Sequence, residues 1–491
     1  MYLSKSKYCM GVVCKKKLWL DKYKSEVKEK IDNENVLQNG TEVGEIAKNL
    51  FGEYKDVLFD TNLNNMIEST NNYLKEKNVI ITEASFNYNN NFCSVDILKK
   101  NNDKYEIYEV KSSTEVSDIY KDDISYQFYV LSNLGLNVTS AYIVHLNSDY
   151  VRHGELELDK LFKIEDLTDL VLSKQQEVKD NIEEFNNYMK SLEEPKMDIG
   201  IYCKKPYDCE FFKYCSKHLP SQNVFNIRGL SAKKKFELYN KGIYNYEDLL
   251  NTNINDKYKE QIDFELNDLE DKINIKNIKK LLKEFTYPLY FLDFETYQQS
   301  IPLFDNVSPY MQIPFQYSLH YILEKDGELF HKEFLSEPNV DPRRKLAEAL
   351  INDIPNDVCV LAYNMSFEKN VIRHLAAIFP DLESHLMNIH DNIKDLMIPF
   401  YKRDYYTKNM YGSYSIKYVL PALFPDDPSL DYHNLEMVHN GSEASNAFSS
   451  LGNYSGEELE EIRKNMLKYC ELDTYAMVKI YKKLNKIVEE K

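Results

Sequence analysis

Two carboxylate clusters, roughly two hundred residues apart, hold the side chains whose types and spacing could do chemistry. The first is Asp96 followed by Glu109-Val-Lys111. The second is Asp293-Phe-Glu295 followed much later by Tyr469-x-x-x-Asp473. Each puts acids on or beside apolar runs, where a carboxylate is costly unless it is paired or holds a cation. Carboxylates sharing a divalent cation are the usual equipment for cutting phosphodiesters. On a strand, positions 109 and 111 point to one face, as do 293 and 295. An aspartate on a neighbouring strand, Asp96, can share a cation with Glu109, while Lys111 orients a water or counters charge developing on a phosphate. Glu and Lys two apart on an exposed strand also form ordinary surface ion pairs, so this cluster alone is the weaker signal. The apolar strand Leu292-Asp-Phe-Glu-Thr296 has no structural reason to carry two acids, and two cations facing a phosphate would supply one. On a helix Tyr469 and Asp473 share a face, where the tyrosine could position the attacking water and the aspartate complete a metal site.

The elements that must hold these residues follow from periodicity and turn chemistry. Val79–Phe86, Phe92–Leu98 and Tyr105–Lys111 read as strands, with turns at the asparagine-rich 89–91 and 101–103. A helix is expected over Thr41–Phe51, capped by Thr41, another over Tyr120–Leu134, and a strand over Ala141–His145. Residues 157–192 have helical periodicity ended by Pro195. From Tyr287 the pattern resets to three antiparallel strands, Pro288–Tyr297, Gln316–Leu323 and Glu328–Leu335. A helix Pro342–Ile351, a buried strand Val358–Tyr363, a helix Phe367–Ala376 and a terminal helix from Gly456 follow. These expectations make the chain α/β, divided as 1–220, a helical connector 221–285, and 286–491.

At 491 residues the chain is too long for one ordinary core. Its 43% hydrophobic and 29% charged content fits a soluble protein, and no apolar run approaches the ~20 residues that span a bilayer. The start, Met-Tyr-Leu-Ser-Lys-Ser-Lys, lacks an apolar signal region, so a cytoplasmic location and no membrane partner are expected. A net charge of −18 is the wrong sign for a protein that coats nucleic acid. Local grip on a strand remains open through the basic spots Lys15–Lys17 and Lys233–Lys235. Cys203-x5-Cys209-x5-Cys215, with Cys14 near the start, points to metal rather than disulfides in a cytoplasmic chain.

The Asp96, Glu109-x-Lys111 layout resembles the PD-(D/E)xK nuclease superfamily, whose restriction-endonuclease-like sheet is mixed. Gln127 and Tyr129 resemble the polar motif of its RecB-like branch. One early cysteine with three late ones resembles the iron–sulfur staple of CRISPR-associated RecB-like exonucleases. That likeness implies a [4Fe–4S] cluster on Cys14, Cys203, Cys209 and Cys215; four thiolates suit Zn²⁺ equally, and Cys9 competes with Cys14 as fourth ligand. Many RecB-like relatives place a metal-binding histidine in their first helix. Here that helix offers Glu42 and Glu45, with Glu45 favoured, and the first histidine of the chain is His145.

The second cluster resembles the DEDDy branch of 3′→5′ exonucleases, whose domain is ribonuclease H-like. Their Asn-x-x-Phe-Asp motif has Asn364-Met-Ser-Phe-Glu368 in its place, which implies Glu368 as a longer substitute ligand. Gly412-Ser-Tyr-Ser-Ile-Lys417 resembles a segment of some bacterial relatives and receives no catalytic role. Val224–Leu230 through Tyr244 resembles a helix–hairpin–helix, and an interdomain helical connector explains it as well. Nearly the whole chain resembles a bacterial family known as domain of unknown function 2779. The expectation is a Mg²⁺- or Mn²⁺-dependent nuclease acting on DNA or RNA with a free or single-stranded end. Its rivals are a nucleic-acid-binding scaffold with degenerate sites and an iron–sulfur redox sensor.

Overall fold

The computed structural model describes residues 2–31 and 34–490. It is a mixed α/β structure of two compact units, one comprising 1–220 with 299–310, the other 221–298 with 311–491. The expected connector, 221–285, thus groups with the second unit.

In the first unit seven strands form one mixed sheet: β1 (Leu3–Ser4), β2 (Lys55–Asp56), β3 (Asn78–Tyr88), β4 (Asn91–Asn101), β5 (Lys104–Lys111), β6 (Asn137–Leu146) and β7 (Phe162–Asp166). Their order is β2-β3-β4-β5-β6-β7, with β1 lying parallel to the start of β4. The hairpins turn where asparagines accept left-handed backbone, at Asn89, Asn90 and Asn102 (φ 46°, 64° and 56°). β5 and β6 are parallel, so their connection crosses over through the helix Asp118–Asn133. That helix packs with Lys5–Val13 and Gln175–Lys190 around Tyr8, Tyr126 and Phe185, all fully buried. Each such side chain contributes roughly 1.5–3 kcal/mol of burial free energy. Segment 299–310 is held here by Ser300 donating to Glu42 (3.1 Å) and Arg152 donating to the Pro302 carbonyl (2.8 Å).

Two expectations are corrected in this unit, and one element is added. Thr41 does not cap a helix; it lies inside Glu34–Ala47 and its hydroxyl donates back to the Leu37 carbonyl (3.0 Å). The helical period of 157–192 breaks over Phe162–Asp166, which pairs antiparallel to β6 as an edge strand. Here tertiary pairing overrides the local pattern. The helix Leu63–Tyr73 was not anticipated.

The second unit is built on β9 (Leu289–Gln298), β10 (Gln312–Ile322), β11 (Leu329–Leu335), β12 (Cys359–Ala362) and β13 (Ile393–Asp395), in the order β11-β10-β9-β12-β13. The first three are antiparallel neighbours; β12 and β13 join in parallel. One face buries Leu292, Phe294, Tyr317 and Leu319 against the helices Arg343–Asp353 and Ser366–Ile378. The opposite face takes the long helix Gly456–Glu490, where Gln316 donates to the Met466 carbonyl (2.9 Å). The segment after residue 220 consists of short helices, and β8 (Lys272–Ile273) pairs with β14 (Tyr405–Tyr406). Among the described residues no helix is long and apolar enough to cross a membrane.

Candidate functional site

Strand alternation sends Asp293 and Glu295 to the face covered by the long helix, while Leu292 and Phe294 fill the core behind them. Asp473, one helical turn after Tyr469, meets them there. One oxygen each of Asp293, Glu295 and Asp473 lies within 4.8 Å of the others. All three carboxyls sit where burial and mutual repulsion disfavour charge. Burial, then Asp473, Glu295 and Glu368, hold Asp293 well above the usual carboxylate range. Burial and Asp473 push Glu295 to about 8, and burial raises Asp473 to about 6. Glu368, in the first turn of Ser366–Ile378, is pushed to about 8 by burial, Asp395 and Glu295, and its Oε2 is buried with no hydrogen-bond partner. An orphaned acceptor beside three crowded carboxylates is the donor set a hard divalent cation needs.

Two further groups, given no role by the sequence reading, join this site. Tyr432 donates its hydroxyl to Asp473 Oδ1 (2.7 Å), and Tyr469 also hydrogen-bonds that carboxylate. Lys417, set aside in the sequence analysis, holds its ammonium over the rings of Tyr432 and Tyr469 (5.5 and 5.6 Å), where its charge reaches Glu295 and Asp473. A cavity of about 440 Å³ lined by Lys417, Tyr432, Phe424, Pro421, Leu430 and His439 opens beside it, with Asp426, Asp427 and Asp431 also on its wall. Asp395 is spoken for structurally: it accepts from the backbone amides of Asn364, Met365 and Met397.

In the first unit Asp96, Glu109, Lys111 and Gln127 are brought together as a network. Glu109, 1% exposed, accepts from Lys111 (2.6 Å) and from Gln127 (2.7 Å). Asp96 accepts from the Val110 amide (2.7 Å). Two acids missed by sequence join them. Asp123 pairs with Lys111 (2.7 Å) and Gln127 (3.0 Å). Glu83 sits opposite Asp96 between the pairs Thr82–Ile97 and Ala84–Val95, with φ 56°, and burial followed by Asp96 pushes it to about 7.

The third addition changes the chemistry. Lys5 bridges Asp96 (3.3 Å) and Glu109 (2.9 Å), the place a shared cation would take. Burial opposes its charge, but Asp96, Glu109 and Asp123 outweigh that and hold it well above the usual lysine range. Glu45 takes a different partner: it is 62% exposed and pairs with Lys48 (2.7 Å), along a pocket wall that includes Glu83. Glu42 accepts from Ser300.

The four cysteines converge at the other end of this unit. Cys14 caps the helix Lys15–Tyr23, and its charge would be felt by Cys203 and Cys215, as would that of Cys209. Cys209 and Cys215 pack against Trp19, Leu20 and Phe211. Burial lifts all four thiols, Cys215 to about 11 and Cys203 to about 12, so protons must leave for a metal to bind. Cys9 is elsewhere: Asp123 and Lys111 are its charged neighbours. The expected basic spot beside Cys14 is not free, because Lys15, Lys16 and Lys17 pair with Glu184, Glu194 and Glu210.

Residues 290–415 match the family model described as domain of unknown function (DUF2779). The match takes in Asp293, Glu295 and Glu368 and ends before Lys417, Tyr469 and Asp473. No curated protein matches the chain.

Proposed function

We propose that the chain is a metal-dependent nuclease whose working centre is the carboxylate cluster of the second unit. The observation that carries this reading is the convergence of Asp293, Glu295 and Asp473 oxygens within 4.8 Å, on buried side chains that repel one another. Asp293, Glu295, Asp473 and Glu368 would hold one or two Mg²⁺ or Mn²⁺ ions, which supply Lewis-acid polarisation of a phosphate and a water of lowered pKa. The protein's own groups do the rest. Tyr469 places its hydroxyl beside Asp473, where it can orient a water for in-line attack. Lys417 offers a charge against the non-bridging phosphate oxygens, and the neighbouring cavity can take the terminal nucleoside. The sheet order β11-β10-β9-β12-β13 supports a ribonuclease H-like reading, and the likeness to DEDDy enzymes gives the 3′→5′ direction. Nucleic acid, DNA or RNA with an accessible end, is the partner this chemistry addresses.

The first unit favours a second reading. Its restriction-endonuclease-like layout gathers the expected acids, yet Lys5 stands in the cation's place. A nucleic-acid-binding scaffold stapled by the cysteine cluster, with [4Fe–4S] or Zn²⁺ on Cys14, Cys203, Cys209 and Cys215, fits that observation. Digestion of end-labelled single-stranded DNA and RNA by wild type, Asp293→Ala and Lys111→Ala tests both. Mononucleotides released from the 3′ end, lost in Asp293→Ala and kept in Lys111→Ala, are expected. Loss confined to Lys111→Ala moves the centre to the first unit, and no cleavage by metal-loaded wild type overturns the nuclease reading.

A further inference from the structure

Beyond the acidic centre, the long helix meets the outer edge of the sheet at a second cluster with different chemistry. His320 on β10 and His331 on β11 are cross-strand partners, their rings 4.4 Å apart. A ring nitrogen of each and a carboxylate oxygen of Glu471 lie within 4.8 Å of one another. Both rings are oriented by hydroxyls: His320 Nδ1 pairs with Thr474 (2.8 Å) and His331 Nε2 with Ser318 (2.9 Å). Those hydroxyls bond each other (2.7 Å). Nε2 of His320 and Nδ1 of His331 are left for another partner. Glu333, on the same face of β11 as His331, is near enough to feel both His331 and Glu471.

We propose that His320, His331 and Glu471 form a zinc site that pins the long helix to β10 and β11. Two imidazoles and a carboxylate are a borderline-soft set that favours Zn²⁺ over Mg²⁺. Histidine ligands characteristically have their second nitrogen fixed by a hydrogen bond, as both do here. Placing two imidazoles beside an exposed glutamate gains little by itself, because a surface ion pair to histidine is worth at most about 1 kcal/mol. A cation bonded to all three accounts for the arrangement. The site is independent of the nuclease reading: its three ligands form a group separate from Asp293, Glu295 and Asp473.

The test is equilibrium dialysis of the full chain against zinc alone, with zinc per chain counted by mass spectrometry and thermal unfolding recorded alongside. Wild type should bind one zinc more than His331→Ala or Glu471→Gln, and Asp293→Asn one more than the double variants Asp293→Asn/His331→Ala and Asp293→Asn/Glu471→Gln, which removes zinc held at the acidic centre from the comparison. Affinity at this site should fall by more than the ~10–100-fold that loss of a ligand's outer partner costs. The zinc-dependent rise in Tm should shrink in both ligand variants. Equal zinc counts in wild type and the ligand variants, or no zinc on wild type, overturn the proposal. Glu471 is exposed, so Glu471→Gln carries the test if His331→Ala fails to fold by circular dichroism.

Discussion

Replacing Lys5 by alanine asks whether the first acidic cluster is a seat for a cation. Lys5 is 26% exposed and reaches Glu109 at 2.9 Å and Asp96 at 3.3 Å. Glu109, 1% exposed, would keep Lys111 and Gln127, so the variant loses one of three partners rather than stranding a bare charge. A charge-assisted hydrogen bond is worth about 1.5–3 kcal/mol. Partial exposure of Lys5 puts the expected loss near the middle, about 2 kcal/mol. For a unit of this size each kcal/mol moves Tm by roughly 2–4 °C, so the metal-free variant should melt roughly 4–8 °C below wild type. The vacated space is bounded by Asp96, Glu109 and Glu83. Mn²⁺ at about 100 times its Kd returns about 2.7 kcal/mol, enough to restore the loss. Differential scanning calorimetry of wild type and Lys5→Ala, each with EDTA and with millimolar Mn²⁺, reads both effects. A deficit that Mn²⁺ leaves unchanged would refute the cation seat, and no deficit in EDTA would refute the ion-pair assignment.

Other consequences follow from the same geometry. Lys417→Gln should leave the fold intact and slow cleavage by about 10²–10³, the usual cost of losing one donor aimed at developing charge, measured as kcat on a labelled oligonucleotide. Glu295 and Glu368 are raised to about 8 when metal-free. Groups raised on folding stabilise below their unfolded pKa and lose that contribution as pH climbs through the folded value. Tm in EDTA should therefore fall between about pH 4.5 and pH 8, and saturating Mg²⁺ should flatten the fall. In Gly11→Ala the new Cβ would lie 2.7 Å from the Phe185 ring, which is fully buried between helices. Overpacking of this kind costs about 1–3 kcal/mol, visible as an earlier denaturant midpoint for the first unit.

The acids of the second unit were legible because they break a local rule. Asp293 and Glu295 interrupt an otherwise apolar strand, and Tyr469 and Asp473 fall one turn apart on a strongly periodic helix. The hairpins of the first unit were legible from asparagine pairs that accept left-handed backbone. What escaped is what the chain assembles at long range. Lys5 reaches Glu109 because Leu3 and Ser4 run parallel to Asn91 and Phe92, and no local pattern encodes that pairing. Asp123 is one of three acids in the first turns of its helix, and only the packing angle selects it over Asp118. Glu83 looks like a solvent-side strand residue, and its left-handed backbone (φ 56°) inside β3 is not encoded by any local turn signal. Lys417 sits in a segment whose path across the site depends on β14 meeting β8, 130 residues earlier in the chain.

The two acidic clusters solve one electrostatic problem in different ways, and the difference assigns their roles. In the first, Asp96, Glu109, Asp123 and Glu83 face two ammonium groups, Lys5 and Lys111, both within 3.3 Å of a carboxylate. That network is nearly satisfied by the chain itself and can persist without metal. In the second, among the described residues, the cation whose charge reaches Glu295 and Asp473 is Lys417, which stands over two tyrosine rings rather than in an ion pair with the cluster. Carboxylates so placed must either take up protons, as their raised pKa values record, or recruit a cation from solution. Protonation leaves an inert pocket of acids, whereas a recruited divalent ion neutralises the cluster and makes it reactive toward phosphate. On the reading proposed above, the unit with the larger unmet demand for positive charge is the one expected to recruit metal.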